Sequence, residues 1–430
     1  MREMKDSGIE WIGKIPKEWE IHPLYYYFNE RKNRNFDLRE RNLLSLSYGN
    51  IIRKDINTAG GLLPASFNTY NIVNNLDIII RPTDLQNDKR SLRTGLVKDE
   101  TGIITSAYIA LKPRDGIFSN YFHYLLLSYD VMKVFYNMGN GVRQGLNYSE
   151  FSKLMMIAPS LDEQRQIADF LDQKCSEIEA LTKDIQTQIE ILEEYKKSVI
   201  TEAVTKGLDP NVEMKDSGIQ WVDKIPANWK VNKIKYISNS IFKGQGIKKE
   251  NVDINGDIQC VRYGEIYSKY SNSFNQCFSF VNSNNLSRKQ PFIKNGDIIF
   301  AITGELIEEI GKNVLYTGEL DCAVGGDIVV VRIDEDRRFV NYALNSSYCQ
   351  NQKSCNKFKL KVVHISAFEI GNILVLIPPL NIQKAISDFL DLKCAEIDTT
   401  ISEKRQQLET LAEYKKSLIY EYVTGKKEIA

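Results

Sequence analysis

The stretch MKDSGIEWIGKIPKEW begins at Met4 and returns as MKDSGIQWVDKIPANW from Met214, and PSLDEQRQIADFLDQKCSEI from Pro159 returns as PPLNIQKAISDFLDLKCAEI from Pro378. The segments between these blocks differ from one another. Each half therefore reads as a fixed frame around a variable insert, and the chain must fold as two copies of one plan. Two inserts on one scaffold point to two binding specificities.

The frame contains helix-forming runs. Leu161 to Lys206 holds neither Pro nor Gly, which permits one helix of about 45 residues, about 65 Å long at about 1.5 Å rise per residue. Asp162 is the expected N-cap, and Gly207 followed by Pro210 the stop. Leu171, Ile178, Leu181, Ile185, Leu192, Tyr195 and Val199 form a stripe at coiled-coil spacing, with Lys174 and Gln188 in skipped seam positions. The second copy offers Leu390, Ile397, Leu411, Tyr414 and Leu418, weakened by Thr400, Lys404 and Gln407. Two such stripes in one chain pair most simply with each other. Because a globular insert separates the helices, antiparallel pairing is the easier connection, and it would relate the repeats by a pseudo-two-fold axis with the inserts at opposite ends of the rod.

Within the inserts NIVNNLDIIIR, GIITSAYIALKP, GDIIFAIT and GGDIVVVRI read as strands bounded by turn residues, whereas NYFHYLLLSYDVMKVFYNM from Asn120 and RFVNYALNSSYCQNQKSC from Arg338 read as helices. The expected fold class is α+β: two globular domains of mostly antiparallel sheet, joined by two long helices packed as an antiparallel coiled coil. The expected boundaries are 1–158 for the first domain, 159–206 for the central helix, 207–377 for the second domain and 378–430 for the C-terminal helix. Trp11, Ile15, Pro16 and Trp19, with Trp221, Ile225, Pro226 and Trp229, are expected to anchor each insert on a helix end.

The formal net charge of zero conceals a segregation. Lys and Arg exceed Asp and Glu by about four in residues 20–158 and again in 230–377, while 160–206 carry a net charge of about −5. Basic inserts on an acidic frame suit a polyanionic partner held by the inserts alone. No run approaches the roughly 18 apolar residues that span a bilayer, and no signal peptide is visible, so a cytoplasmic location is expected. Seven cysteines without a C-x-x-C pair fit a reducing compartment, and Cys349 with Cys355 lacks the histidine that would suggest zinc.

With these blocks in place, the chain resembles the specificity subunit of type I restriction-modification systems. The resemblance rests on the MKDSGIEWIGKIP-W opening, the P-L-x-x-Q-x-x-I-x-D-F-L-D helix start, and the helix ends EEYKKSVITEAVT from Glu193 and AEYKKSLIYEYVT from Ala412. It covers essentially the whole chain. One departure is Ile382, which stands where the first copy has Glu163. The resemblance implies that each insert is a target recognition domain reading one half of a bipartite site in double-stranded DNA. It also implies that the helices act as a ruler and dock two adenine methyltransferase subunits, with two restriction subunits joining where a system has them. S-adenosylmethionine would then belong to the methyltransferase partner, ATP and Mg to a restriction subunit, and no cofactor or metal to this chain.

Candidate DNA contacts come from basic, amide-rich stretches, since Arg pairs with guanine and Asn or Gln with adenine in the major groove. In the first insert these are Gln86, Asn87, Lys89, Arg90 and Arg93, then Arg143, Gln144 and Asn147 among glycines. In the second they are Lys243, Gln245, Lys248 and Lys249, then Arg262 and Tyr263, then Lys357, Lys359 and Lys361 at alternating positions. No catalytic residue is expected. The chain has no phosphate-binding G-x-x-x-x-G-K-[ST] loop and no N-P-P-Y or D-P-P-Y tetrapeptide, and His22, His123 and His364 are scattered. Two rival readings share these features: a coiled-coil adaptor holding two protein-binding modules, and an orphan regulator on the same scaffold. If the ruler reading holds, each added helical turn should lengthen the spacer by about two base pairs, and exchanging residues 20–158 should change one half-site only.

Overall fold

Two uninterrupted helices, Leu161–Lys206 and Leu380–Val423, dominate the computed structural model, which describes residues 2–57, 64, 66–83, 85, 92–138, 145–247, 249–355, 357–358 and 362–429. By its internal contacts the chain forms two units, Met1–Ile185 with Arg405–Ala430, and Gln186–Lys404. Each unit therefore owns one insert and a half of each helix, a division that cuts across the helix boundaries read from the sequence.

Inside each unit the helix halves run antiparallel. In the first, the Phe170 and Tyr422 rings lie 4.5 Å apart, and Lys415 Nζ donates to Glu179 Oε1 at 2.7 Å. In the second, Lys404 Nζ donates to Gln188 Oε1 at 2.5 Å and Lys196 Nζ to Asp398 Oδ2 at 2.6 Å. The pairs Lys415–Glu179 and Lys196–Asp398 occupy equivalent places in the two repeats. Each lysine lays its aliphatic stem on the seam and sends its ammonium across to the acid.

The seam itself differs from the expected one. Burial recurs at Leu171, Cys175, Ile178, Thr182, Ile185, Ile189, Leu192, Lys196 and Val199, and at Leu390, Cys394, Ile397, Ile401, Lys404, Leu408, Leu411, Lys415 and Leu418. Leu171, Ile178, Ile185, Leu192, Leu390, Ile397, Leu411 and Leu418 thus lie where the stripe placed them. Leu181, Tyr195 and Tyr414 do not: they are 47%, 48% and 53% exposed. The reason is geometric. A 3-4 and a 4-3 reading share every seventh residue, and the packed partner selects the phase that seats Cys175 and Ile189. At the helix start, Ser160 rather than Asp162 caps, its hydroxyl accepting from Glu163 N at 3.4 Å. Gly207, at φ +79°, ends the first helix as expected.

The tryptophan signature forms a hairpin in each unit, Met4–Asp6 with Lys14–Pro16 and Met214–Ile219 with Val222–Pro226. Trp19 and Trp229 are buried and meet Tyr121 and Phe339 edge-on, at 6.3 and 6.4 Å between centroids. Lys5 and Lys215 each donate to the carbonyl of that tryptophan at 2.6 Å. Trp19 Nε1 also donates to Glu163 Oε2 at 3.2 Å, a bond that the second copy cannot repeat because Ile382 replaces the glutamate. Trp11 is half-buried against Tyr129. Trp221 is exposed, which corrects the expectation that all four anchor.

Although their sequences differ, the inserts share a strand order. One sheet runs Phe28–Glu30, Ile109–Pro113, Ile78–Ile80, Thr94–Leu96 in the first unit, and Ser238–Lys243, Ile328–Ile333, Ile298–Ala301, Asn313–Tyr316, Ser273–Phe274 in the second. The other runs Asn50–Lys54, Leu43–Ser47, Gly102–Ile104, Asn71–Val73, and correspondingly Ser279–Val281, Ile258–Val261, Cys322–Val324, Phe292–Ile293. Pairing is mostly antiparallel. The middle pairs Leu43–Ser47 with Gly102–Ile104 and Ile258–Val261 with Cys322–Val324 are parallel in both. Each of the two predicted insert helices is broken: Lys133 at φ +61° separates Ser119–Val131 from Val134–Asn137, and Asn345 separates Arg337–Leu344 from Ser347–Ser354.

Candidate nucleic-acid interface

In the second unit three separate segments converge on one basic cleft. The strand Ser238–Lys243 ends at Lys243, and Gly244 then passes so close to the neighbouring chain that an added Cβ would lie 2.0 Å from Gly325 O. Gly244 N donates to Ile328 O at 2.8 Å and Gln245 N to Val324 O at 3.1 Å. The glycines of this loop thus let backbone approach backbone. The strand Ile258–Val261 ends in Arg262 and the short helix Tyr263–Ser268. Glu265 turns inward, accepting from Arg262 N at 2.8 Å and from the Ser279 hydroxyl. Finally Gly325 N donates to Val261 O at 2.9 Å, fixing the third segment.

The resulting cleft, about 680 Å³, is lined by Lys243, Lys249, Arg262, Tyr263 and Lys269 together with Gly325, Gly326 and Asp327. Four cations around a concavity, against Asp327 and a Glu265 already engaged, favour an anionic ligand. Arg262 lies 3.9 Å from Glu265 Oε1, too far to saturate its guanidinium. Such an arrangement can hold phosphates and present an arginine and a tyrosine to base edges.

The structure thus brings Lys243, Lys249, Arg262 and Tyr263 together, and places Gln245 exposed in the loop beside them. Gly325, Gly326 and Asp327 were missed because each is remote in sequence from the basic runs, and Lys269 because it stands as a single cation just past the helix Tyr263–Ser268. The only signal was the G-G-D at the start of a strand. Lys357 is not part of this cleft; its Nζ donates to Glu369 Oε1 at 2.5 Å. His364 Nδ1 lies 3.0 Å from Thr303 Oγ1, within a two-stranded pairing.

In the first insert the candidates fare differently. Arg93 is 0% exposed, its Nη1 donating to Thr83 O at 3.0 Å. It is a core strut and no DNA contact, because Asp130 and the Thr83 carbonyl draw the segment inward. Asn147 is exposed, but its side chain caps the helix Tyr148–Phe151, accepting from Glu150 N at 3.0 Å. Gln86, Asn87, Lys89, Arg90, Arg143, Gln144, Lys248, Lys359 and Lys361 lie outside the described residues.

Among the described residues no cluster of His, Cys, Asp and Glu could hold a metal ion, and no helix is long and apolar enough to cross a membrane.

A paired-insert scaffold with a basic cleft is the architecture of a DNA-recognition module, and comparison with known proteins agrees. A family model described as the type I restriction modification DNA specificity domain matches residues 56–191 and 226–410. The chain belongs to that family: it is a specificity subunit of a type I restriction-modification system, the DNA-recognition component, with two target recognition domains. Subunits of this family are non-catalytic and bind DNA and partner subunits. The chain is similar to the type I restriction enzyme MjaVIII specificity subunit of Methanocaldococcus jannaschii, 27% identical over 332 residues, covering 76% of this chain and 74% of that protein. The putative MjaX specificity subunit of the same organism is 24% identical over 327 residues, covering 74% and 70%. A solved chain, described with the complex assembly and conformational transition of the type I R-M system, shares the fold at TM-score 0.69 and 13% identity, covering 96% of this chain and 99% of that one.

Proposed function

We propose that each insert reads one half of a bipartite site in double-stranded DNA, and that the long helices space the half-sites and dock two adenine methyltransferase subunits. The basic cleft of the second unit carries the reading for DNA: four cations, two from each of two segments, surround one concavity. Support for docking comes from large apolar side chains left exposed off the seam, Leu181, Ile191 and Tyr195 on the first helix and Phe389, Leu392 and Tyr414 on the second. S-adenosylmethionine is then the methyltransferase's cofactor, ATP with Mg²⁺ that of any restriction subunits, and the complex works in the cytoplasm. This chain contributes position, not chemistry.

The test is to co-express the chain with the methyltransferase encoded beside it and map methylated adenines across the host genome by single-molecule sequencing. A bipartite motif with a fixed gap is expected. A stable complex that adds no methylation would overturn the reading in favour of an adaptor or regulator on this scaffold.

A further inference from the structure

The crossing from Phe28–Glu30 to Leu43–Ser47 in the first unit occupies the same place in the topology as the crossing that opens the cleft of the second, from Ser238–Lys243 to Ile258–Val261. It reads RKNRNFDLRERN from Arg31. Two of its cations are structural: Arg31 Nη2 donates to Asp77 Oδ1 at 2.9 Å, and Arg34 donates to Thr69 O. Lys32, Arg39 and Arg41 are exposed; Lys32 pairs with Glu30 at 2.8 Å and Arg39 lies 3.8 Å from Asp37, solvated pairs that a phosphate can replace.

The tip of this crossing is prebuilt. Asn35 is fully buried; its Nδ2 donates to Glu40 O at 2.9 Å, its Oδ1 accepts from Glu40 N at 3.2 Å, and its carbonyl accepts from Leu38 N at 3.0 Å. Glu40 Oε1 in turn accepts from Arg41 N at 2.9 Å and Asn42 N at 2.8 Å. These bonds hold Phe36 outward at 79% exposure and set Leu38, also exposed, at φ +54°. Displaying a phenyl ring to water is unfavourable, and a leucine at positive φ is an uncommon conformation. A solvated turn requires neither. An apolar wedge flanked by arginines is what proteins that unstack a DNA base step carry.

We infer that the Asn35–Glu40 tip enters the duplex at the first insert's half-site, with Phe36 wedged at a base step and Arg39 and Arg41 on the flanking phosphates. The inference rests on the DNA-reading role proposed above and supplies it with contacts in the first insert. The crossing carries five cations, Arg31, Lys32, Arg34, Arg39 and Arg41, against Asp37 and Glu40, and this surplus favours DNA over a protein partner.

The experiment uses the full chain in its methyltransferase complex and the bipartite duplex from the methylation map, with 2-aminopurine scanned through the half-site read by the first insert. Binding of the unaltered complex should raise the fluorescence at one step. Phe36→Ala should abolish that rise and weaken binding about tenfold without changing the salt dependence, while Phe36→Leu should retain part of both. The double variant Arg39→Gln/Arg41→Gln should keep the rise. It should lower the slope of log K against log salt by about 1.8, because each phosphate no longer neutralised accounts for about 0.9. Undiminished discrimination against mismatches in the other half-site would show that the variants are folded. Wild-type binding and fluorescence in Phe36→Ala would overturn the wedge while leaving the DNA-reading role intact. So would loss of the methyltransferase from that variant with DNA affinity unchanged, which would make the tip a protein-binding element. Failure of the unaltered complex to bind the duplex would overturn both.

Discussion

Lys353 sits in an environment that its residue type does not suggest. It is 1% exposed, and its Nζ donates to Asn313 Oδ1 at 2.8 Å and Leu344 O at 2.7 Å. Asn313 is itself tied to Asn341, and Asn341 to Asn272, at 2.9 and 2.8 Å. These neutral acceptors replace water only in part, so burial pushes the lysine down from its ordinary 10.5 to about 8. In the window between those two values the unfolded chain binds more protons at this position than the folded one. Stability contributed by the site therefore rises as pH increases through the window, and below it both states are charged and the penalty is constant. Urea unfolding of the wild type and of Lys353→Met from pH 7 to 10 should give a difference that is flat to about pH 8. Above that, it should shift in favour of the wild type, by on the order of 3 kcal/mol over the full window. A pH-independent difference would mean that the lysine is not held as described.

Among the elements, the helix pair shows what a sequence pattern leaves open. The repeat of seven was plain, but Leu181, Tyr195 and Tyr414 are apolar at one phase and Cys175, Ile189 and Ile401 at the other. The choice belongs to the partner helix. It has a measurable consequence. Ile189→Ala, on the seam, should cost about 2 to 4 kcal/mol in denaturant unfolding, whereas Leu181→Ala should change stability by less than about 0.5 kcal/mol. Equal losses would contradict the burial pattern. The insert helix expected from Arg338 fails for a similar reason: Asn345 Nδ2 donates to Asn313 O at 3.3 Å, and Ser346 then starts a new helix. Tertiary partners outbid local propensity there.

On the scale of the whole molecule, the duplicated frame was legible because packing anchors and helix ends carry short signatures; the common strand order of the inserts was not, because pairing joins residues far apart in sequence. The same limit applied to the candidate site. Cations close together in sequence such as Lys243 and Lys249 could be read, whereas Gly325 and Gly326 reach the cleft only through the fold. The division into units adds one argument that the sequence could not supply. It falls between Ile185 and Gln186 in the first helix and between Lys404 and Arg405 in the second. A seven-residue repeat inserted at both points leaves the packing inside each unit intact and preserves the seam phase on either side, since the seam repeats every seven residues. It lengthens each helix by about 10 Å, equivalent to about three base pairs. If the helices space the half-sites, the methylation motif should keep both half-site sequences and gain about three base pairs between them. A four-residue insertion breaks the phase and should instead destabilise the helix pair. An unaltered gap after the seven-residue insertion, with methylation retained, would show that something other than helix length sets the spacing.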